Sequence, residues 1–200
     1  MKMAAELSTF APFRLTICGI SELDEHCAAG VTHVLSILDP DTPDPPAFAA
    51  FAPHHRLALR FHDIIETLPD RLPPARADVE RLLAFGHELS DTPGNHLLIH
   101  CHAGVSRSTA SAALILAQAR PDRPAREALE AVAQLRPRAW PNLRILEFGD
   151  ELLSRNGEIV AAVAAIYRRV LDREPLLQEA MIDGGRSREV VAALSPADQR

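Results

Sequence analysis

The stretch His96–Thr109, "HLLIHCHAGVSRST", decides how this chain folds. Its opening "HLLIH" is an apolar run of strand length, and the alanine-rich "TASAALILAQA" from Thr109 has the length of a helix. Between them lie Cys101 and a short loop of small residues, so the order is strand, tight loop, helix start. Backbone N–H groups in such a loop turn inward, and beside a helix N-terminus they make a nest for a phosphate-like dianion. The same field favours a thiolate over a thiol. Arg107 stands where its guanidinium can fold over the nest and grip two oxygens of the anion. Nucleophile, donor ring and bidentate cation converge on one phosphoryl group.

Working outward, "FRLTICGI" (13–20) reads as a strand ending at Gly19, and "SELDEHCAAG" (21–30) as a helix with an N-cap serine and a closing glycine. "VTHVLSIL" (31–38) is a buried strand. Strand–helix–strand units of this kind build parallel sheets. The proline-rich 39–55 is mostly loop, "RLALRF" (56–61) alternates as a strand, and "ADVERLLAFGHELS" (77–90) puts Val79, Leu82, Leu83 and Leu89 on one helical face. Beyond the loop, helices are expected over Ser106–Ala119, from near Pro124, from near Asn142 and over Glu158–Leu171. Ile159, Val163, Ile166 and Val170 of the last face one way, against the main domain or, as the lesser option, a second copy of the chain. The tail from Glu174, with a turn at "DGGRS", reads as loosely ordered.

Composition narrows the function. The 200 residues, 47% hydrophobic and 24% charged, suit one globular domain, with a core over about 13–155 and a helical extension over about 158–200. A net charge of -6 argues against a nucleic-acid binder. Lys2 is the one lysine, so the basic residues are arginines, the better partners for planar anions. Cys18, Cys27 and Cys101 form no disulfide framework, the N-terminus is a poor signal peptide, and no stretch suggests a membrane span; a cytoplasmic protein, monomer or homodimer, is expected.

Cys101 and Arg107, with five residues between them, match the Cys-x5-Arg signature of the protein tyrosine phosphatase superfamily, and "HCHAGVSRST" closely resembles its dual-specificity branch. "ICGISELDEHCAAGVTHVLSIL" resembles that family's opening strand–helix–strand, and "RAWPNLRILEFGDEL" the Pro-Asn element after its active-site helices. The wording is similar to small bacterial phosphatases. The resemblance implies an α/β fold with a central, mainly parallel sheet flanked by helices. It also implies a metal-independent phosphatase, without cofactor, acting on phosphorylated protein or a small phosphomonoester through a phosphocysteine.

By the same resemblance, Cys101 is the nucleophile, and Arg107 with the loop His102, Ala103, Gly104, Val105 and Ser106 binds the phosphoryl oxygens. The general acid is an aspartate upstream: Asp63, directly after the "LALRF" strand, ahead of Asp70. Ser108 stabilises the leaving thiolate or simply bonds the helix start. His100 orders the loop through hydrogen bonds or is a satisfied buried histidine, and Asn142 braces the loop or caps a helix. His102 stands at the cradle entrance. The absence of lysine from the loop disfavours phosphoinositides.

Other readings compete. A zinc site lacks a second Cys/His pair at ligand spacing. A pseudophosphatase would bind phosphate without turnover, and a rhodanese-like sulfurtransferase would carry a persulfide on Cys101. A protective disulfide from Cys18 or Cys27 to Cys101 requires a proximity that sequence does not contain.

Overall fold

The computed structural model describes residues 11–90 and 94–195. The first ten residues, which carry most of the stretch weighed as a signal peptide, lie outside them. Four strands, β1 (Arg14–Cys18), β2 (His33–Leu38), β3 (His55–Arg60) and β4 (His96–His100), form one sheet in the order β1-β4-β2-β3. All three pairings are parallel, with His100 of β4 opposite both Cys18 and Ser36. Every strand therefore ends on the same edge, and the segments that follow begin there with Gly19, Asp39, Phe61 and Cys101. The crevice beyond the carboxyl ends is where open parallel sheets bind ligands.

Alternation along the buried strands gives the sheet two apolar faces. Leu35, Ile37, Leu59, Leu97 and Ile99 join the main core with the α-helices. Val34, Leu98 and Cys18 face a smaller cluster with Leu23, Val31 and Phe48. That second face is covered by two 3-10 segments, Ile20–His26 and Pro46–Ala50, so the expected α-helix over 21–30 is replaced by a tighter turn. The helix start is Gly19 and not Ser21, because the Glu22 carboxylate reaches back to accept from the Gly19 N–H at 2.5 Å.

The α-helices are α1 (Arg76–Ser90), α2 (Arg107–Ala119), α3 (Ala125–Leu135), α4 (Leu143–Leu152), α5 (Glu158–Arg173), α6 (Leu177–Asp183) and α7 (Ser187–Leu194). α2 is buried from Arg107 to Ala117 and packs against α1, α3 and α4. Its alanines let these neighbours approach. The apolar face of α5, including Ile159, Val163, Ile166 and Val170, is buried within this chain against α3, α4 and α7. Asp150 fixes the start of α5, accepting from the Ile159 N–H at 2.7 Å.

The tail from Glu174 departs from expectation. α6 and α7 pack on each other and α7 on α5, with Val190, Ala193 and Glu189 buried. The turn "DGGRS" brings Arg186 inside, where it is only 8% exposed. Hydrophobic spacing in two helices this short is too sparse to read against the charges around it.

Candidate active site

Cys101 follows β4 and is buried at the sheet edge, and the loop after it runs into α2. The carbonyl oxygens of that loop are all tied outward. His102 O accepts from the Ile20 N–H at 3.0 Å and Val105 O from the Trp140 N–H at 2.9 Å. Arg136 donates to Ala103 O at 3.2 Å and Gly104 O at 3.1 Å, and is itself paired with Glu22 at 2.8 Å. Ser106 O accepts from the Ala110 N–H at 3.0 Å. Among the described residues, no N–H from His102 to Arg107 donates to a protein acceptor. With carbonyls out and amides unspent, the loop is built as an anion cradle at the N-terminus of α2.

Gly104 makes the loop's tight turn at φ 68, and a Cβ there would lie 2.5 Å from the Cys18 carbonyl carbon. Arg107 is 3% exposed, and one nitrogen, Nη1, donates to Asp39 Oδ1 at 2.7 Å and Phe61 O at 2.6 Å. Its Nε is buried and has no partner among the described residues. An arginine held by one nitrogen, with another donor unspent, is a pre-oriented fork for an anion.

Cys101 Sγ lies 3.2 Å from the Ser108 hydroxyl, itself fully buried. Asp63, after β3, turns back over the loop. Its Oδ1 accepts from Ser106 Oγ at 2.7 Å and Asn142 Nδ2 at 2.9 Å, with Arg186 Nη1 at 3.5 Å. Asp63 and Cys101 line one cavity of about 380 Å³ with His102, Ala103, Val105, Ser106 and Arg107. Its far wall is Trp140, Val170, Leu177, Met181, Arg138 and Arg186.

Solved structures of known phosphatases share this arrangement of strands and helices. Human DUSP28 aligns at a TM-score of 0.54 and 18% identity over 70% of this chain and 94% of its own. Tk-PTP in its active form aligns at 0.50 and 25% identity, over 71% of this chain and 92% of its own. DUSP15 aligns at 0.50 and 25%, over 71% and 88%. This chain has the fold of the dual-specificity phosphatases. No family model matches the chain, and no curated protein matches it.

Within that dual-specificity fold, the residues singled out from sequence divide clearly. Cys101, Arg107, Asp63, Ser108, His102, Ala103, Val105, Ser106 and Asn142 come together. Gly104 does not line the cavity; its part is the close approach to β1. Asp70 is exposed, in a left-handed turn at φ 56, and lies outside the cavity lining. Asn142 caps α4, its Oδ1 accepting from the Ile145 N–H at 3.2 Å; its Nδ2 donates to Asp63 Oδ1, and its contact with the loop is its backbone N–H to Ser106 O at 3.4 Å.

His100 corrects the expectation. Among the described residues neither ring nitrogen has a hydrogen-bond partner, and the ring packs against Phe48 with centroids 5.4 Å apart. Burial pushes its pKa down to about 4, against an opposing effect of the Cys101 backbone, so the imidazole is neutral at physiological pH.

Four residues of the site escaped the sequence reading: Asp39, Arg136, Arg186 and Glu189. Asp39 had a usable signal, an acid at the end of a central strand facing the crevice. Arg136 stands in an ordinary helix-end run, "LRPRAW", where nothing separates it from a surface arginine. Arg186 and Glu189 belong to the tail taken as loose.

Proposed function

We propose that this protein is a metal-independent cysteine phosphatase that hydrolyses phosphomonoesters, phosphotyrosine first and phosphoserine or phosphothreonine as further substrates, in the cytoplasm. One observation carries the reading: a loop whose carbonyls are all bonded outward and whose amides are unspent surrounds a buried cysteine and the unspent Nε of a buried arginine. That is a preorganised site for a dianion beside a nucleophile.

The Cys101 sulfur attacks phosphorus in line as the bond to the leaving oxygen breaks. The loop amides and Arg107 hold the equatorial oxygens while charge spreads over them. Asp63 delivers a proton to the leaving oxygen; Oδ2 is the oxygen for this, since Ser106 and Asn142 both donate to Oδ1 and Arg186 lies nearest it. Water then attacks the phosphocysteine, Asp63 takes its proton, and the sulfur departs towards the Ser108 hydroxyl, 3.2 Å away. His102, 41% exposed at the cradle mouth, helps to set which substrates enter. The chemistry asks for no metal and no cofactor.

The test is hydrolysis of p-nitrophenyl phosphate in EDTA. Turnover by the wild type and none by Cys101→Ser are expected, and with phenyl phosphate, whose leaving group needs a proton, a loss of about 10²-fold in Asp63→Ala. Phosphate or vanadate binding with no release of nitrophenol would make the site a recognition module and overturn the proposal.

A further inference from the structure

Arg186 comes from the turn between α6 and α7, some eighty residues beyond the signature loop, and its fork is fully engaged. Nε donates to Glu189 Oε2 and Nη2 to Glu189 Oε1, both at 2.7 Å. Nη2 also donates to Ser106 Oγ at 3.0 Å, and Nη1 lies 3.5 Å from Asp63 Oδ1. Glu189 is held in turn by the Trp140 Nε1–H at 2.5 Å and the Leu143 N–H at 3.0 Å.

A buried ion pair is rarely a source of stability, because the desolvation of two charges offsets their attraction. An arginine needed only to neutralise Glu189 has no reason to reach the cradle. Here it meets both Ser106, within the loop, and the oxygen of Asp63 on which Ser106 and Asn142 also converge. Two hydrogen-bond donors and the Arg186 guanidinium, 3.5 Å away, crowd one carboxylate oxygen and leave the other for proton transfer.

We propose that Arg186, supplied by the C-terminal helices, is a positioning residue that fixes the Asp63 carboxyl, directly and through Ser106, for protonation of the leaving group. The proposal rests on the phosphatase reading above. It makes the helical tail part of the active site: the same turn that anchors α7 through Glu189 sets the aim of the acid. A proton donor displaced by a fraction of an ångström loses much of its effect, so the tail controls the rate without touching phosphorus.

The experiment compares two substrates that differ in their need for the acid. p-Nitrophenolate departs readily without a proton, whereas phenolate, with a pKa of about 10 like a tyrosine side chain, requires one. Arg186→Gln alone strands Glu189 as a buried charge, so Arg186→Gln paired with Glu189→Gln is measured beside it, together with Arg186→Lys. The expected result is a fall of about tenfold in kcat on phenyl phosphate and under about twofold on p-nitrophenyl phosphate, with KM unchanged. Arg186→Lys recovers part of the loss. In an Asp63→Asn background the Arg186 changes add nothing further, because they act through the missing acid. Equal losses on both substrates, or losses that multiply with that of Asp63→Asn, overturn the inference and leave the phosphatase reading standing. A wild type that turns over neither substrate overturns both.

Discussion

Gly104 and Arg107 divide the work of making the cradle. Gly104 turns the loop at φ 68 and lets it press on the end of β1, where a methyl group would lie 2.5 Å from the Cys18 carbonyl carbon. Both atoms in that clash are backbone or rigidly attached to it, so no side chain can yield. Gly104→Ala is expected to destabilise the fold by about 2–4 kcal/mol in urea titration and to abolish most phosphatase activity, through strain at positive φ as well as overlap. Wild-type activity in that variant would mean that the loop does not depend on this contact. Cys18, close to the cradle, is no rival nucleophile: burial raises its pKa to about 12, so it stays a neutral thiol under physiological conditions. Cys101 and Arg107 were legible in sequence because their spacing and their strand–loop–helix context occur together. Asp63, after a strand, lies over the loop, whereas Asp70 is exposed and outside the cavity.

At the scale of elements, the four strands and the helices from Arg76 to Arg173 followed from periodicity and caps, because each has a long apolar face or a clear boundary residue. The β1–β2 crossover did not. Its caps and length suggested an α-helix, yet a Glu22 carboxylate shared between the Gly19 N–H and Arg136 tightens the segment into a 3-10 turn. That pairing spans more than a hundred residues of sequence, and local patterns carry no trace of it. The tail shows the same limit. α6 and α7 are short and flanked by charge, and what orders them is tertiary: Glu189 accepts from Trp140 and Leu143 while Arg186 reaches Ser106. Buried charge in a segment of low local propensity reads from sequence as a solvated surface. The order is visible only once the partners are in place.

For the whole molecule, stability should depend on pH with a definite sign. His100, His33 and His96 all have pKa values lowered by burial, His100 to about 4 from 6.5. The folded chain therefore refuses protons that the unfolded chain accepts. Stability is full above about pH 6.5 and is lost progressively as the pH falls towards 4. His100 alone accounts for about 2 kcal/mol between pH 7 and pH 5. Urea unfolding at the two pH values measures this, and His100→Phe, which keeps a ring against Phe48, should shrink the difference by that amount. An unchanged difference would mean that folding does not lower the His100 pKa.

The parallel sheet, the outward-tied loop and the docked tail all converge on one sulfur. The account is therefore tested most directly by rapid acid quenching of the enzyme during turnover of p-nitrophenyl phosphate, with peptide mass spectrometry. It predicts one phosphoryl group on the peptide containing Cys101, located on the sulfur and absent from Cys101→Ser. A phosphoryl group on His102 or elsewhere, or full turnover with none trapped on Cys101, would contradict it.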